Sequence, residues 1–259
     1  MEQVNILGVK VSKVNYQDVL KHIQVWISGQ GKHYIVTTNV EIIIQAQKDL
    51  EFKKIINDAD LSIPDSSRLG WALKVLETNN FIVKLIYWPF FIFPKLIESK
   101  FPTVTGTDLI LKFMSICEEK GFRIGLLGGQ KNVAAKAKER LLTKFPNLKI
   151  VYTDHGGKIS SDGEMLNNEK IKIEKVDILL VAFGHGKQEK WIKENIKHID
   201  SKVFIGVGGT LDYISGKIPR APLFIRLIGF EWLFRLIVQP WRIKRFDALV
   251  KFIFLILKK

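Results

Sequence analysis

The sequence predicts an α/β fold, a Rossmann-like open parallel sheet with helices on both faces, extended by a C-terminal helical appendage. Three observations carry that expectation. From residue 33 onward, short apolar and β-branched runs recur, each ending in glycine or a polar residue. Each run gives way to helical periodicity, and strand alternating with helix is the pattern of a parallel sheet. Beyond residue 222 the rhythm stops, and a basic, aromatic segment takes over.

The first strand is expected over residues 33–38, with Asn39 as the cap of a helix that runs through Gln47. A short strand over 61–63 follows, ending at Pro64-Asp65 before a helix that starts near Arg68. Residues 122–127 lead into Gly128-Gly129-Gln130 and an Ala/Lys-rich helix to Leu142, and 149–152 add another strand. Residues 177–183 run into Gly184-His185-Gly186-Lys187-Gln188-Glu189, and 203–207 run into Gly208-Gly209-Thr210-Leu211-Asp212. Open parallel sheets bind ligands at the carboxyl ends of their strands, where all these turns collect.

Residues 1–222 therefore read as one α/β core and 223–259 as a tail, with an apolar insertion at 79–101. Within the insertion, residues 81–97 are very apolar but are interrupted by Lys84, Pro89, Pro94 and Lys95. A spanning helix needs about 20 mostly apolar residues, so the stretch is expected to pack on the core, with a membrane-dipping loop as the alternative.

A chain of 259 residues with 47% hydrophobic content can bury a full core. Its single cysteine, Cys117, excludes an intramolecular disulfide, and no His/Cys cluster has zinc-ligand spacing. The formal charge of +14 points to a polyanionic partner: nucleic acid, a phospholipid surface or a phosphorylated substrate. Residues 223–259 hold eight Lys and Arg against Glu231 and Asp247, interleaved with Phe and Trp. Large aliphatic and aromatic side chains among the charges suit lipid better than a wet nucleic-acid backbone. The tail is thus expected to bind an anionic membrane surface, with no nucleic-acid partner. The N-terminus lacks a basic start followed by a long apolar run, so the protein is expected at the cytoplasmic face of the membrane, peripherally bound. Homo-oligomerisation stays open.

Three glycine turns, at 128–129, 184–186 and 208–209, follow strands and are expected to expose amides to a phosphate, as in a nucleotide. None matches a dinucleotide or P-loop fingerprint. Asp65, at a strand end, is either a general base for an acceptor hydroxyl or a helix cap, with Ser66 and Ser67 as rivals for capping. Asp58-Ala59-Asp60 has the form of a metal-binding acidic pair but precedes its strand, so it reads as solvated loop and no metal is expected. Thr37 and Asn39 end the first strand, where capping explains Asn39 and substrate contact would explain Thr37. His155 and His185 are candidates for acid–base work, but as lone loop histidines they are read as solvent-facing and left out of the catalytic set. Arg242 and Arg245, three residues apart beyond Pro240, form a two-pronged phosphate clamp or a snorkelling basic face.

Together these segments resemble the WecG/TagA/CpsF family of bacterial glycosyltransferases. The matching stretches include Thr37-Thr38-Asn39, Pro64-Asp65, Thr105-Gly106-Thr107-Asp108-Leu109, Lys187-Gln188-Glu189-Lys190-Trp191, Gly206 through Asp212, and Arg220-Ala221-Pro222 through Pro240-Trp241-Arg242. The resemblance implies a metal-independent, inverting transfer of an N-acetylhexosamine, typically N-acetylmannosamine, from its UDP-sugar to a polyprenyl-diphosphate-linked sugar, with no other cofactor. By the same resemblance Asp65 is the base, while Thr37, Asn39, Gln188 and Asp212 line the sugar-nucleotide pocket, to which the third glycine turn adds Gly208. Arg235, Arg242 and Arg245 close the site and neutralise the diphosphate leaving group. The chain departs from the family pattern at three places. Ser66-Ser67-Arg68 replaces a glycine turn after Asp65, Thr103 replaces an arginine, and Gly186 replaces a proline before Lys187-Gln188-Glu189. Arg68 is expected to supply the charge missing at Thr103 and to contact substrate.

Overall fold

A computed structural model describes residues 1–94, 101–166, 171–227 and 229–259. Six parallel strands form one sheet in the order β4-β3-β8-β7-β5-β6. They are β3 (His33–Thr38), β4 (Leu61–Pro64), β5 (Arg123–Gly128), β6 (Lys149–Asp154), β7 (Ile178–Ala182) and β8 (Val203–Gly206). The expected strands agree with these within two residues at each end.

Successive side chains of the central strands enter two different cores, as the period of two demands. Ile178, Leu180, Val203, Ile205 and Ile35 point to one face, where they meet α1 (Tyr16–Ser28), α6 (Gly106–Lys120), α7 (Val133–Lys144) and α9 (Thr210–Ile214). Leu179, Val181, Phe204 and Val36 point to the other. There they meet α2 (Val40–Lys48), α3 (Leu50–Asn57), α4 (Ser67–Leu76) and α8 (Lys187–Asn195). Burial on both faces explains why these strands read as continuous apolar runs without alternation.

Residues 1–28, to which the sequence pattern assigns no element, form an antiparallel hairpin of β1 (Gln3–Ile6) and β2 (Val9–Ser12), then α1. The hairpin turn is Leu7-Gly8, with φ of 52° and 82°. Both turn residues of such a tight hairpin take positive φ, which Asn-Gly signals and Leu-Gly conceals. Asn15 caps α1 in a reciprocal box with Asp18.

The insertion begins with α5 (Phe81–Tyr87) and a 3-10 turn over Trp88–Phe91; residues 95–100 lie outside the described residues. It is pinned to the core by Trp71 of α4, whose indole N–H donates to the Tyr87 carbonyl at 2.7 Å. The expectation that this stretch packs on the core holds for Phe91, whereas Ile82, Leu85, Ile86 and Trp88 are exposed.

The tail comprises α10 (Leu223–Leu227), α11 (Glu231–Val238), a 3-10 turn over Pro240–Arg245 and α12 (Phe246–Lys258). Pro240 interrupts the helix where its missing N–H requires it. α12 folds back onto the second core, where Phe252 and Ile256 are fully buried. No helix among the described residues is long and apolar enough to cross a membrane. Replacing Phe252 by Ala should cost about 3–5 kcal/mol in urea unfolding, whereas Phe254→Ala on the exposed side of the same helix should stay within about 0.5 kcal/mol.

Candidate active site

Two adjoining clefts open at the carboxyl ends of the strands, of about 480 and 720 Å³. Thr37, Asn39, Asp65, Arg68 and Thr103 line the first; Gly129, Gly184, Gly208 and Asp212 line the second. His185, Gly209, Arg235, Arg242 and Arg245 belong to both walls and mark the junction. The tail thus reaches over the strand ends and supplies three of the five shared residues.

Asp65 directly follows β4. The rivalry over capping is resolved by Ser66, whose hydroxyl accepts from the Arg68 amide at the start of α4. Asp65 is left free to face the cleft, where its Oδ1 accepts from the Gly106 amide at 2.8 Å. Burial raises its pKa to about 7, against the Gly106 hydrogen bond and the charge of Arg235, with Glu231 and Asp108 adding to the rise. One carboxylate poised near neutrality is the state a general base requires.

Around it, the Thr105–Asp108 turn is organised for charge. The Thr105 hydroxyl donates to Asp108 at 2.8 Å, and Arg220 pairs with Asp108 at 2.7 Å. Burial opposes ionisation of Asp108, but the hydrogen bonds from Arg220 and Thr105 and the charge of Arg226 hold its pKa below the usual range. This ion-paired carboxylate and the raised one at Asp65 sit in the same cleft with opposite protonation tendencies.

The junction is positive. Arg235 stacks over the Tyr213 ring at 4.5 Å and lies 3.7 Å from Glu231, while its Nε is buried without a partner. Arg245 pairs with Glu41 of α2 at 2.9 Å. Burial, with Arg245 and Arg235 close by, lowers the Arg242 pKa to about 10, so it stays charged at neutral pH. Three guanidinium groups against Glu41 and Glu231 leave a net positive charge at the place where the clefts meet.

His185 corrects an expectation. It is not a solvent-facing loop residue: it is partly buried at the junction, 3.3 Å from the Asn39 amide nitrogen, and its Nδ1 is enclosed without a partner. Burial pushes its pKa down to about 4, partly offset by Glu41 and reinforced by Arg245, Arg235 and Arg242. The ring is therefore neutral at pH 7. Sequence reading missed it because a lone histidine between two glycines carries no spacing signal. His155 does lie on the surface.

Gln188 is a second correction. It is fully buried behind the second cleft, outside its wall. Its Oε1 accepts from the Gly208 amide at 3.0 Å and its amide donates to Glu189 at 2.7 Å; Glu189 in turn accepts from the Gly186 amide at 2.6 Å. This chain ties the β7–α8 turn to the β8–α9 turn. A Cβ on Gly206 would stand 2.7 Å from the Gln188 amide nitrogen, so Gly206 makes the room for it. The Gly129 amide likewise bonds the Ala182 carbonyl at 2.9 Å. Contrary to the expectation, the amides of Gly129, Gly186 and Gly208 are engaged within the protein.

The remaining candidates divide. Thr37 lines the first cleft with its hydroxyl donated to the Gly206 carbonyl at 2.9 Å. Asn39 caps α2 through its Oδ1 and turns its amide nitrogen toward His185. Asp212 faces the second cleft 3.8 Å from Lys217. The Asp58-Ala59-Asp60 pair lies at the opposite end of the sheet, Asp60 on the Tyr34 amide and Asp58 near Lys193. Among the described residues no three His, Cys, Asp or Glu side chains gather as a metal site.

Two predictions follow the geometry. Gln188→Leu keeps the volume but strands the Gly208 amide and Glu189, and should cost about 1–3 kcal/mol in urea unfolding. Asp65→Asn should raise stability. The folded carboxyl titrates at about 7 against 3.8 for an ordinary aspartate, so stability held by its proton is lost as pH rises through that window. The advantage of Asn in Tm over the parent should therefore grow from about pH 4 to about pH 7 and then level off.

Comparison with known proteins identifies the family. A profile of the Glycosyl transferase WecG/TagA/CpsF family matches residues 4–259. A Staphylococcus aureus (strain MRSA252) N-acetylglucosaminyldiphosphoundecaprenol N-acetyl-beta-D-mannosaminyltransferase is 28% identical over 99% of this chain and 92% of its own. A Bacillus subtilis (strain 168) protein of the same name is 30% identical over 88% of this chain and 83% of its own. The chain that places a raised aspartate and three tail arginines around one pair of clefts belongs to the WecG/TagA/CpsF family and is a glycosyltransferase.

Proposed function

We propose that this enzyme transfers N-acetylmannosamine, or a close derivative, from a UDP-sugar to an N-acetylglucosaminyl-diphosphate polyprenol in the synthesis of a cell-surface polymer. Transfer proceeds with inversion and without a metal ion. The observation that carries the reading is Asp65, a carboxyl with pKa about 7 in a cleft that adjoins a cluster of three arginines. The names of the relatives supply the sugar and the class of acceptor.

In this mechanism the acceptor hydroxyl lies in the first cleft and gives its proton to the Asp65 carboxylate as its oxygen attacks the anomeric carbon. The bond from that carbon to the nucleotide diphosphate breaks on the opposite side. Charge then accumulates on the diphosphate, at the junction where Arg235, Arg242 and Arg245 stand. Preorganised cations in a partly desolvated site stabilise that charge without a divalent ion. The larger second cleft takes the nucleoside, with its two turns held in register by Gln188 and Glu189. Neutral His185 offers a hydrogen bond at the junction but no proton for the leaving group at pH 7.

Docking to the cytoplasmic face of a membrane fits the same site. Among the described residues, most exposed large apolar side chains fall in residues 82–93 and 223–254, and the tail carries the basic charge beside them. A lipid-linked acceptor is delivered from such a surface.

Transfer measured as UDP release should rise with pH to a plateau above about 7 and fall about tenfold per unit well below it, as Asp65 protonates. Asp65→Asn should abolish that limb and lower kcat by about 10²–10⁴-fold. Arg242→Gln should lower kcat by about 10²-fold with the pH limb intact; an unchanged kcat would remove the tail from the chemistry.

A further inference from the structure

Arg68 is placed where a cation is costly. It lies in the first turn of α4, where the helix dipole disfavours positive charge. Its guanidinium is partly buried, and burial lowers its pKa to about 10, which leaves it charged at neutral pH. Among the described residues it has no carboxylate partner, and its Nε is enclosed without a hydrogen bond. What holds it is a pair of aromatic rings: its Cζ stands 5.1 Å from the centre of Phe91 and 5.3 Å from that of Trp232. Such stacking orients a guanidinium but does not neutralise it. A partly buried, uncompensated cation lining a cleft is a site for an anion.

The neighbouring segments say which anion. Arg68 lines the first cleft alone, whereas Arg235, Arg242 and Arg245 line both, so Arg68 stands apart from the junction cluster. Its two stacking rings belong to the insertion and to α11. Beyond them lie exposed apolar side chains, Ile92 and Phe93 on one side and Leu233 and Ile237 on the other. Phe93 meets Phe230 edge-on at 5.3 Å, so the two segments touch. A ligand with its anionic group on Arg68 has an apolar surface beside it for a hydrocarbon chain, and the cleft with Asp65 on the inner side.

We propose that Arg68, held between Phe91 and Trp232, binds the diphosphate of the lipid-linked acceptor, while the diphosphate of the donor sits on the separate arginine cluster of the tail. The assignment rests on the transferase reading for the identity of the acceptor and extends it to a residue specific to this chain's insertion contact. Both substrates carry a diphosphate, so the test must separate them.

The full-length protein and its Arg68→Met variant would be titrated calorimetrically with farnesyl diphosphate and, separately, with UDP. Losing a two-pronged charged contact should weaken farnesyl diphosphate about tenfold or more and leave UDP within about twofold. Unchanged farnesyl diphosphate binding would overturn the proposal, as would an equal loss for UDP, which would place Arg68 on the donor. Retained UDP binding also certifies that the variant is folded. Should Arg68→Met not fold, Arg68→Lys keeps the charge without the planar fork and should still weaken farnesyl diphosphate selectively; equal binding by it would likewise reject the proposal. Both probes are read by binding alone. A parent that fails to release UDP with lipid acceptor but shows the Arg68-dependent binding would sink the transferase reading and spare the anion site.

Discussion

The aromatic cluster of Trp71, Phe91 and Phe252 is the contact on which the site depends. Trp71 meets Phe91 edge-on at 5.0 Å, and Phe252 lies 6.4 Å from each. Its three rings come from α4, the insertion and the last helix, so one apolar contact joins the core to both segments that depart from the strand–helix rhythm. Burying rings of this size contributes several kcal/mol, more than any surface ion pair of the tail can supply. Arg245 also pairs with Glu41 of α2, but the buried Phe252 holds the tail to the core. Without that docking, Arg235 and Arg242 would have no fixed relation to Asp65.

The electrostatics of the clefts divide along the same line. The core supplies most of the carboxyls, Asp65 after β4, Asp108 in α6 and Glu41 in α2, with Glu231 from the tail, whereas the tail and the residues just before it supply most of the arginines. Asp108 is matched by Arg220 and spends its charge within the protein. Asp65 receives one amide hydrogen bond and a distant Arg235, too little to offset burial, and so keeps a pKa near 7. Its instability as an anion is what the proposed role as a base requires, and under that reading stability is given up for function.

The departures from the family pattern have local physical reasons. Ser66 takes over the cap of α4, so the loss of a glycine turn does not consume Asp65. Gly186 has φ of 85°, a conformation closed to proline, and a Cβ there would stand 2.4 Å from Gln45. The turn before Gln188 is therefore built differently here, and the bond from its amide to Glu189 depends on an N–H that proline lacks. Thr103 and Arg68 line the same cleft, so the cleft that lacks one arginine has gained another.

By itself the sequence determined the doubly wound sheet, because strands buried on both faces must be apolar throughout and must end in turns that tolerate no bulk. It also determined the polar strand ends at Thr37, Asn39 and Asp65, and the break at Pro240, since caps and proline act within a few residues of themselves. The opening hairpin escaped because Leu7-Gly8 hides its turn. Only the tertiary structure decided which glycine amides were free, since Gly208 is satisfied by Gln188 from twenty residues away. It alone moved His185 from loop surface to the junction and Gln188 from cleft wall to buried strut. It alone set Arg68 between rings from two distant segments. Burial and partnership are properties of contacts distant in sequence, and a residue's chemistry in this site follows from those contacts more than from its type.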